Sequence, residues 1–298
     1  ATIKRLASIA DKMGVEVEPL YPNELSSLAE FDALLIRSTT AIDNFTYRFA
    51  RRAEQEGMPV IDDTESMIRC TNKVYLKELL DNARIPAPRT EILDEKASFA
   101  EVMQRLGSPV ILKAPDGSFS RSVHKVSSIE EFQTTARKLY EDTALILAQE
   151  YMPTQFDWRV GVLGGEPLFA SQYRMARGHW QIAKQQKDGG LTFGATNTIP
   201  VDQAPRDVIE TAVKCARLIG DGLYGIDLKQ NERGVFVIEI NDNPNIDADY
   251  EDAVLKDELY RRIIDWFAMR LEKRMGGAVK PPPAVLAPPE VKLLAAGK

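Results

Sequence analysis

The stretch GIDLKQNERGVFVIEIND, residues 225–242, constrains this chain most. A strand bearing Asp227, a polar turn at Asn231-Glu232-Arg233-Gly234 and the β-branched run Val235 to Ile240 predict a β-hairpin. Val235, Val237, Glu239 and Asn241 share one parity along the second strand, so Glu239 and Asn241 project from the same face. Asp227 ends the neighbouring strand, which would bring three oxygen donors together at one end of a sheet. Such a set suits a hard cation such as Mg²⁺, with waters and substrate phosphates completing the shell. The alternative is an edge hairpin with solvated acids, the ordinary place for Asp and Glu. Glu239 interrupts an otherwise apolar strand, and a carboxylate buried there needs a partner. That moves the balance toward metal.

A length of 298 residues points to about two domains. The net charge of −6 argues against a nucleic-acid surface, which needs a basic footprint, without excluding a local basic pocket. Cys70 and Cys215 form no metal-spaced motif and read as small core residues in a reducing cytoplasm. No run is apolar enough to cross a membrane, and no signal peptide is recognisable. The missing initiator Met marks the chain as trimmed or processed.

Residues 2–13 read as a helix, 15–19 as extended, DALLIR (32–37) as a buried strand, 44–56 as a helix and PVID (59–62) as a strand. This βα alternation implies a small parallel sheet flanked by helices. Because it opens on a helix, at least one strand is expected upstream. No glycine-rich dinucleotide or P-loop fingerprint occurs.

Asn72-Lys73 opens a helix that stops at Pro86-Ala87-Pro88. The strand PVILK ends on Lys113 and runs into the loop APDGSFSRSV. Loops of this kind present N–H groups and hydroxyls to phosphate oxygens, and a lysine adds a point charge; a surface turn with a solvated lysine is the other reading. From Ala144 onward the pattern is antiparallel: ALILAQEY, then RVGVLGG returning as LFASQYRMA. A basic, aromatic-dotted segment comes next, with Arg174, Arg177, His179, Trp180, Lys184 and Lys187. It either receives an acidic ligand or is a solvated loop. Residues 207–219 and 253–274 read as amphipathic helices, the second with the stripe Leu255, Leu259, Ile263, Phe267 and Leu271. PPPAVLAPP beyond Gly277 reads as a polyproline-like tail.

Assembled in order, the series Lys73, Lys113, QEY, Asp157, Asn197, GID and EIN resembles the ATP-grasp superfamily, specifically its RimK-like amide ligases, over about Thr71 to Phe267. The resemblance implies α/β and α+β architecture: a truncated Rossmann-like preceding domain (1–70), an ATP-grasp domain (71–275, divided at 150 into a lysine and lid part and a metal-site part), and a Pro/Ala-rich tail (276–298). It implies that Lys73 and Lys113 bind ATP beneath a lid containing Ser118 and Arg121. Gln149, Glu150, Tyr151 and Met152 would face adenine, and Asp157 the ribose. Asp227, Glu239 and Asn241 would carry Mg²⁺, with Mn²⁺ as an alternative, and Arg174 and Asn197 would reach the phosphates or an acyl phosphate. The lid departs from the family pattern in having Ser120-Arg121-Ser122 where a glycine-rich element is usual.

The activity so implied is an ATP-dependent carboxylate–amine ligase of the cytoplasm, acting on an amino acid or peptide through an acyl phosphate. No covalent nucleophile is needed, in keeping with the absence of a Ser/His or Cys/His constellation. The expected partners are the carboxylate and amine substrates, with no nucleic acid and no membrane; homo-oligomerisation is left open. A carboxylate–thiol ligase, a small-molecule kinase and a non-catalytic ATP-binding module are the alternatives.

Overall fold

The computed structural model describes residues 2–116, 123–185, 191–274 and 276. Its first element is α1 (Thr2–Lys12), which buries Leu6, Ile9 and Ala10 on one face. Two short strands, β1 (Leu34–Leu35) and β2 (Val60–Ile61), pair in parallel around α2 (Phe45–Gln55). The expected βα alternation is therefore present, although residues 15–19 pair with no strand.

Side-chain caps start the next two helices. The Asp63 side chain accepts from the Ser66 amide and starts α3 (Thr64–Thr71), a helix that apolar periodicity alone did not single out. Asn72 accepts from the Tyr75 amide and starts α4 (Lys73–Asn82). That cap places Lys73 in the first turn, where the Lys73 amide also donates to the Pro115 carbonyl.

Beyond α4 lies a four-stranded antiparallel sheet built from β3 (Thr90–Leu93), β4 (Val110–Lys113), β5 (Val123–Val126) and β6 (Ile146–Glu150), in the order β3-β6-β4-β5. Helices α5 (Phe99–Leu106) and α6 (Ile129–Tyr140) cover one face, packing Val102, Phe132 and Ala136 on Val110, Leu112, Ile146 and Ala148. Lys113 and Gln149 alternate with those residues and take the other face.

The second sheet has five strands: β7 (Phe156–Leu163), β8 (Glu166–Arg174), β11 (Thr196–Ile199), β12 (Leu223–Asn231) and β13 (Gly234–Asn241). Their order is β11-β8-β7-β12-β13, all antiparallel, and a small pair, β9 (Ala183–Gln185) with β10 (Leu191–Phe193), intervenes in sequence. On one face α7 (Arg206–Ile219) buries Val208, Ala212, Cys215, Ala216 and Ile219 against Val160, Val162, Ile226, Leu228, Val237 and Ile240. Each large apolar side chain contributes on the order of 1.5–3 kcal/mol when fully buried, so this contact dominates local stability. On the other face α1 and α8 (Asp257–Arg274) cover only the end marked by Leu163, Leu168, Phe169 and Leu223.

Helix α8 begins at Asp257 rather than at 253. The preceding turns place Asp249 and Lys256 at φ +70° and +56°, and the Asp249 amide donates to Asp252. Leu255 still packs on the α8 core, from a turn instead of from the helix.

Candidate active site

Along the β12–β13 hairpin Gly225 lies opposite Asn241, Ile226 opposite Ile240 and Asp227 opposite Glu239. The next pair is Leu228 with Val237, so Ile238 is an inserted residue, a β-bulge. The bulge reverses the facing of β13. Val235 and Val237 point into the α7 core, as does Ile240 beyond the bulge, whereas Glu239 and Asn241 stand with Asp227 on the opposite face. The expectation that all four odd-numbered residues share one face is thus corrected, while Glu239 and Asn241 do share one. Asp227 is mid-strand, not at a strand end, and the Glu239 side chain is 35 % exposed, not buried. Asn241 Nδ2 donates to Asp227 Oδ2 at 3.2 Å and to the Gly225 carbonyl at 3.3 Å.

A charged stripe runs from this hairpin into β7. Arg159 lies directly opposite Asp227 and makes a two-point pair with it, Nε to Oδ1 and Nη2 to Oδ2, both at 2.6 Å. Burial alone would lower the Arg159 pKa, but the Asp227 carboxylate outweighs it and holds the guanidinium more firmly protonated than usual. One step along, Lys229 Nζ reaches Asp157 Oδ1 at 2.6 Å, and Thr154 donates to the same oxygen at 2.7 Å. Burial raises the Asp157 pKa, partly offset by the Lys229 charge.

The four-stranded sheet adds its own cations. Lys113, 8 % exposed, donates to Gln149 Oε1 at 2.8 Å, and Gln149 Nε2 donates to Thr90 at 2.9 Å. Burial pulls the Lys113 ammonium down from 10.5 to about 8, against the opposing pull of Glu239. Lys73 Nζ stands 3.7 Å from Glu239 Oε1. Lys73, Lys113, Lys229 and Arg159 thus meet Asp157, Asp227 and Glu239, four cations against three carboxylates.

The remaining expected residues divide. Glu150 alternates with Gln149 and faces away from Lys113; its carboxylate accepts from Arg89 and from both terminal nitrogens of Arg233, and the Arg233 guanidinium holds it down to about 2. Only its backbone is left to face a ligand. Met152 is buried. Tyr151 packs edge-on to Trp180 with ring centroids 6.1 Å apart, and Lys125 Nζ lies 4.8 Å from the Tyr151 ring. These three, with Thr154, Met175, Gly178 and His179, line an open cavity of about 360 Å³. Arg174 and Asn197 are not brought to the stripe. Arg174 pairs with Phe156, and Asn197 pairs with Gln172, which lies opposite Trp158; this is the parity of the α7 face. Ser118 and Arg121 lie outside the described residues.

Beside Asn241, the loop after β13 meets the β1 and β2 segment. Arg37 Nη1 donates to Asn243 Oδ1 at 2.5 Å. Burial, reinforced by the Asp242 charge, pushes the Asp62 carboxyl well up, and burial raises Asp242 to about 6.

Arg159 and Lys229 were not singled out in the sequence. Their trace was there: each is a charge two positions from an acid in an otherwise apolar strand, in DWRVGV and GIDLK.

A family model described as the RimK-like ATP-grasp domain matches residues 70–267, two thirds of the chain. The chain belongs to the RimK-like ATP-grasp family. Among curated relatives it is similar to the alpha-aminoadipate–LysW ligase LysX of Saccharolobus solfataricus, 29 % identical over 262 residues, covering 81 % of this chain and 88 % of that protein. It is also similar to a probable alpha-L-glutamate ligase of Rhodopirellula baltica, 22 % identical over 260 residues, covering 86 % and 62 %. In fold it resembles the D-alanine–D-alanine ligase of Bacillus anthracis, with a TM-score of 0.71, 17 % identity and 92 % of each chain covered. The antiparallel sheets are those expected of an ATP-grasp chain.

Proposed function

We propose that this chain is an ATP- and Mg²⁺-dependent ligase that joins a carboxylate to an amine through an acyl phosphate. The observation that carries the reading is the facing of the Asp227–Glu239–Asn241 oxygen set toward Lys73 and Lys113. Anionic phosphates need such cations, and a hard metal needs such oxygens. Asp227, Glu239 and Asn241 fit Mg²⁺ as an all-oxygen donor set on one face, and the ion when bound neutralises triphosphate charge. The curated relatives are named for alpha-aminoadipate and alpha-L-glutamate, which supports an amino acid or peptide as substrate.

Lys113 is mostly charged at neutral pH, and with Lys73 it would hold phosphate oxygens. The backbone of Glu150 and the cavity at Tyr151 would take the base, and Asp157 the ribose hydroxyls. A carboxylate oxygen of the acid then attacks the γ-phosphorus; the O–P bond forms as the β–γ bridge breaks and ADP leaves. The amine next attacks the acyl carbon; the C–N bond forms, the C–O bond to phosphate breaks and the amine loses a proton. No enzyme nucleophile takes part. Burial pushes the Cys215 thiol to about 12 and raises that of Cys70, so neither supplies a thiolate at neutral pH.

Calorimetry of ATP binding with and without Mg²⁺, in wild type and in Glu239→Ala, tests the reading. Metal-dependent binding that the substitution weakens about tenfold or more (~1.4 kcal/mol) is expected. A wild-type protein indifferent to both ATP and Mg²⁺ sinks it.

A further inference from the structure

We propose that Lys229 and Thr154 set the sugar specificity of the nucleotide site. They occupy one carboxylate oxygen of Asp157 and leave the other to read a single ribose hydroxyl, so a triphosphate lacking the second hydroxyl is held as well as ATP. The assignment rests on the ligase reading, which gives the ribose to Asp157. Three hydrogen bonds close a triangle there. Lys229 Nζ donates to Asp157 Oδ1 at 2.6 Å and to Thr154 Oγ1 at 2.7 Å, and the Thr154 hydroxyl donates to the same Oδ1 at 2.7 Å. A carboxylate oxygen offers two lone pairs, and Oδ1 has spent both. Asp157 Oδ2 accepts from no described residue, and it is not one of their buried unpartnered polar atoms, which belong to Asp62, Tyr140 and Asp242. It is therefore open to solvent.

The triangle is held in place. The Lys229 and Asp157 side chains are only 15 % and 13 % exposed, so parting them would strand a nearly buried charge. Strand register supports the pair as well. Asp157 stands two residues before Arg159 on β7 and Lys229 two after Asp227 on β12; Arg159 and Asp227 are directly opposed, so both ion pairs take one face. The position suits a sugar. Thr154 also lines the cavity at Tyr151, while Lys113 on β4 feels the charges of both Lys229 and Asp157. A nucleotide with its base in that cavity and its phosphates at Lys113 passes its ribose over Asp157.

A carboxylate grips a ribose diol at two points when each hydroxyl donates to its own oxygen. With Oδ1 closed, one hydroxyl finds Oδ2 and the other stays in water. Removing a hydroxyl that donates to a charged acceptor costs about tenfold or more in affinity, whereas removing a solvated one costs little. The site thus separates the 2′ and 3′ positions instead of reading the diol as a unit. Lys229 and Thr154 act through Asp157, as positioning residues.

Calorimetry with MgATP, its 2′-deoxy analogue and its 3′-deoxy analogue tests this, in wild type, Lys229→Met and Thr154→Val. In wild type one analogue should bind within about threefold of ATP and the other about tenfold or more weakly. Either substitution returns a lone pair to Oδ1 for the second hydroxyl. The preference for ATP over the tolerated analogue should then rise to about tenfold, a ratio in which any general loss of affinity cancels. Wild-type protein that loses both analogues reads the diol at two points, and one that loses neither does not read the sugar through Asp157; each overturns the assignment. So does Lys229→Met or Thr154→Val that weakens ATP and the tolerated analogue alike, the lysine then serving phosphate. These results leave the ligase reading standing. Wild-type protein that binds no MgATP overturns both.

Discussion

Lys113 shows how a single environment sets chemistry. Burial in β4 holds its ammonium near 8, below the ordinary 10.5. The unfolded chain therefore binds the extra proton between those two values, so stability rises with pH across that window, and the cost of the buried charge is complete below about 8. The effect on binding has the opposite sign, because phosphate needs the charged form. ATP affinity measured by calorimetry should fall as pH climbs past about 8, and Lys113→Arg, which keeps its charge, should flatten the profile. A wild-type profile flat to about pH 10 would remove Lys113 from the phosphate site. At this scale much was legible: Lys73, Lys113, Asp227, Glu239 and Asn241 converge as the residue types and the family resemblance suggested. The Glu150 side chain was not legible, because the two guanidiniums that claim it come from positions 61 and 83 residues away.

Strand β13 carries the lesson of the element scale. Parity counting assumes an unbroken ladder, and Ile238 breaks it. Without the bulge, Glu239 and Asn241 would enter the α7 core beside Val237 and meet no partner. Deleting Ile238 would instead leave an unbroken ladder with Leu228 still opposite Val237 and Asp227 opposite Glu239, so folding and Mg²⁺-dependent ATP binding should both survive, read by near-ultraviolet circular dichroism and calorimetry; an added residue beside Ile238 should turn Glu239 and Asn241 into the core and abolish binding. Gly194 is a second test. A Cβ there would lie 1.8 Å from the Arg174 carbonyl oxygen, a backbone atom that cannot yield cheaply. Gly194→Ala should cost about 3 kcal/mol or more, seen as a lower midpoint in denaturant. Helices were easier to read than strands, since α6 (Ile129–Tyr140) and α7 keep closely to their 3.6-residue stripes. Helix α3 escaped because its signal is a cap, Asp63 to Ser66, and not a stripe.

At the scale of the whole molecule, Glu150 to Arg233 is a specific tie between the four-stranded and five-stranded sheets. Glu150 sits on β6 and Arg233 in the β12–β13 turn, and the Val237 amide adds a bond to the Pro86 carbonyl. Arg233→Ala should lower the thermal midpoint, by an amount limited because both arginines are about half exposed. The Arg233 guanidinium and the Arg89 bonds lower the Glu150 carboxyl from 4.5 to about 2, so its contribution is full above 4.5 and is lost as pH falls toward 2. Thermal midpoints of wild type and variant should converge across that acidic range. No helix among the described residues is long and apolar enough to cross a membrane.

The sequence by itself determined which residue types were present for phosphate and metal chemistry, the helical stripes, and the change from an early βα alternation to antiparallel strands. Those are consequences of side-chain periodicity and local turn chemistry, which act over a few residues. Only the tertiary structure decided which face each strand presents, through one inserted residue, and which charges meet. The Arg159–Asp227 and Lys229–Asp157 pairs join residues 68 and 72 positions apart. Such pairing depends on strand order and register across the sheet, and neither is encoded in any local window of the chain.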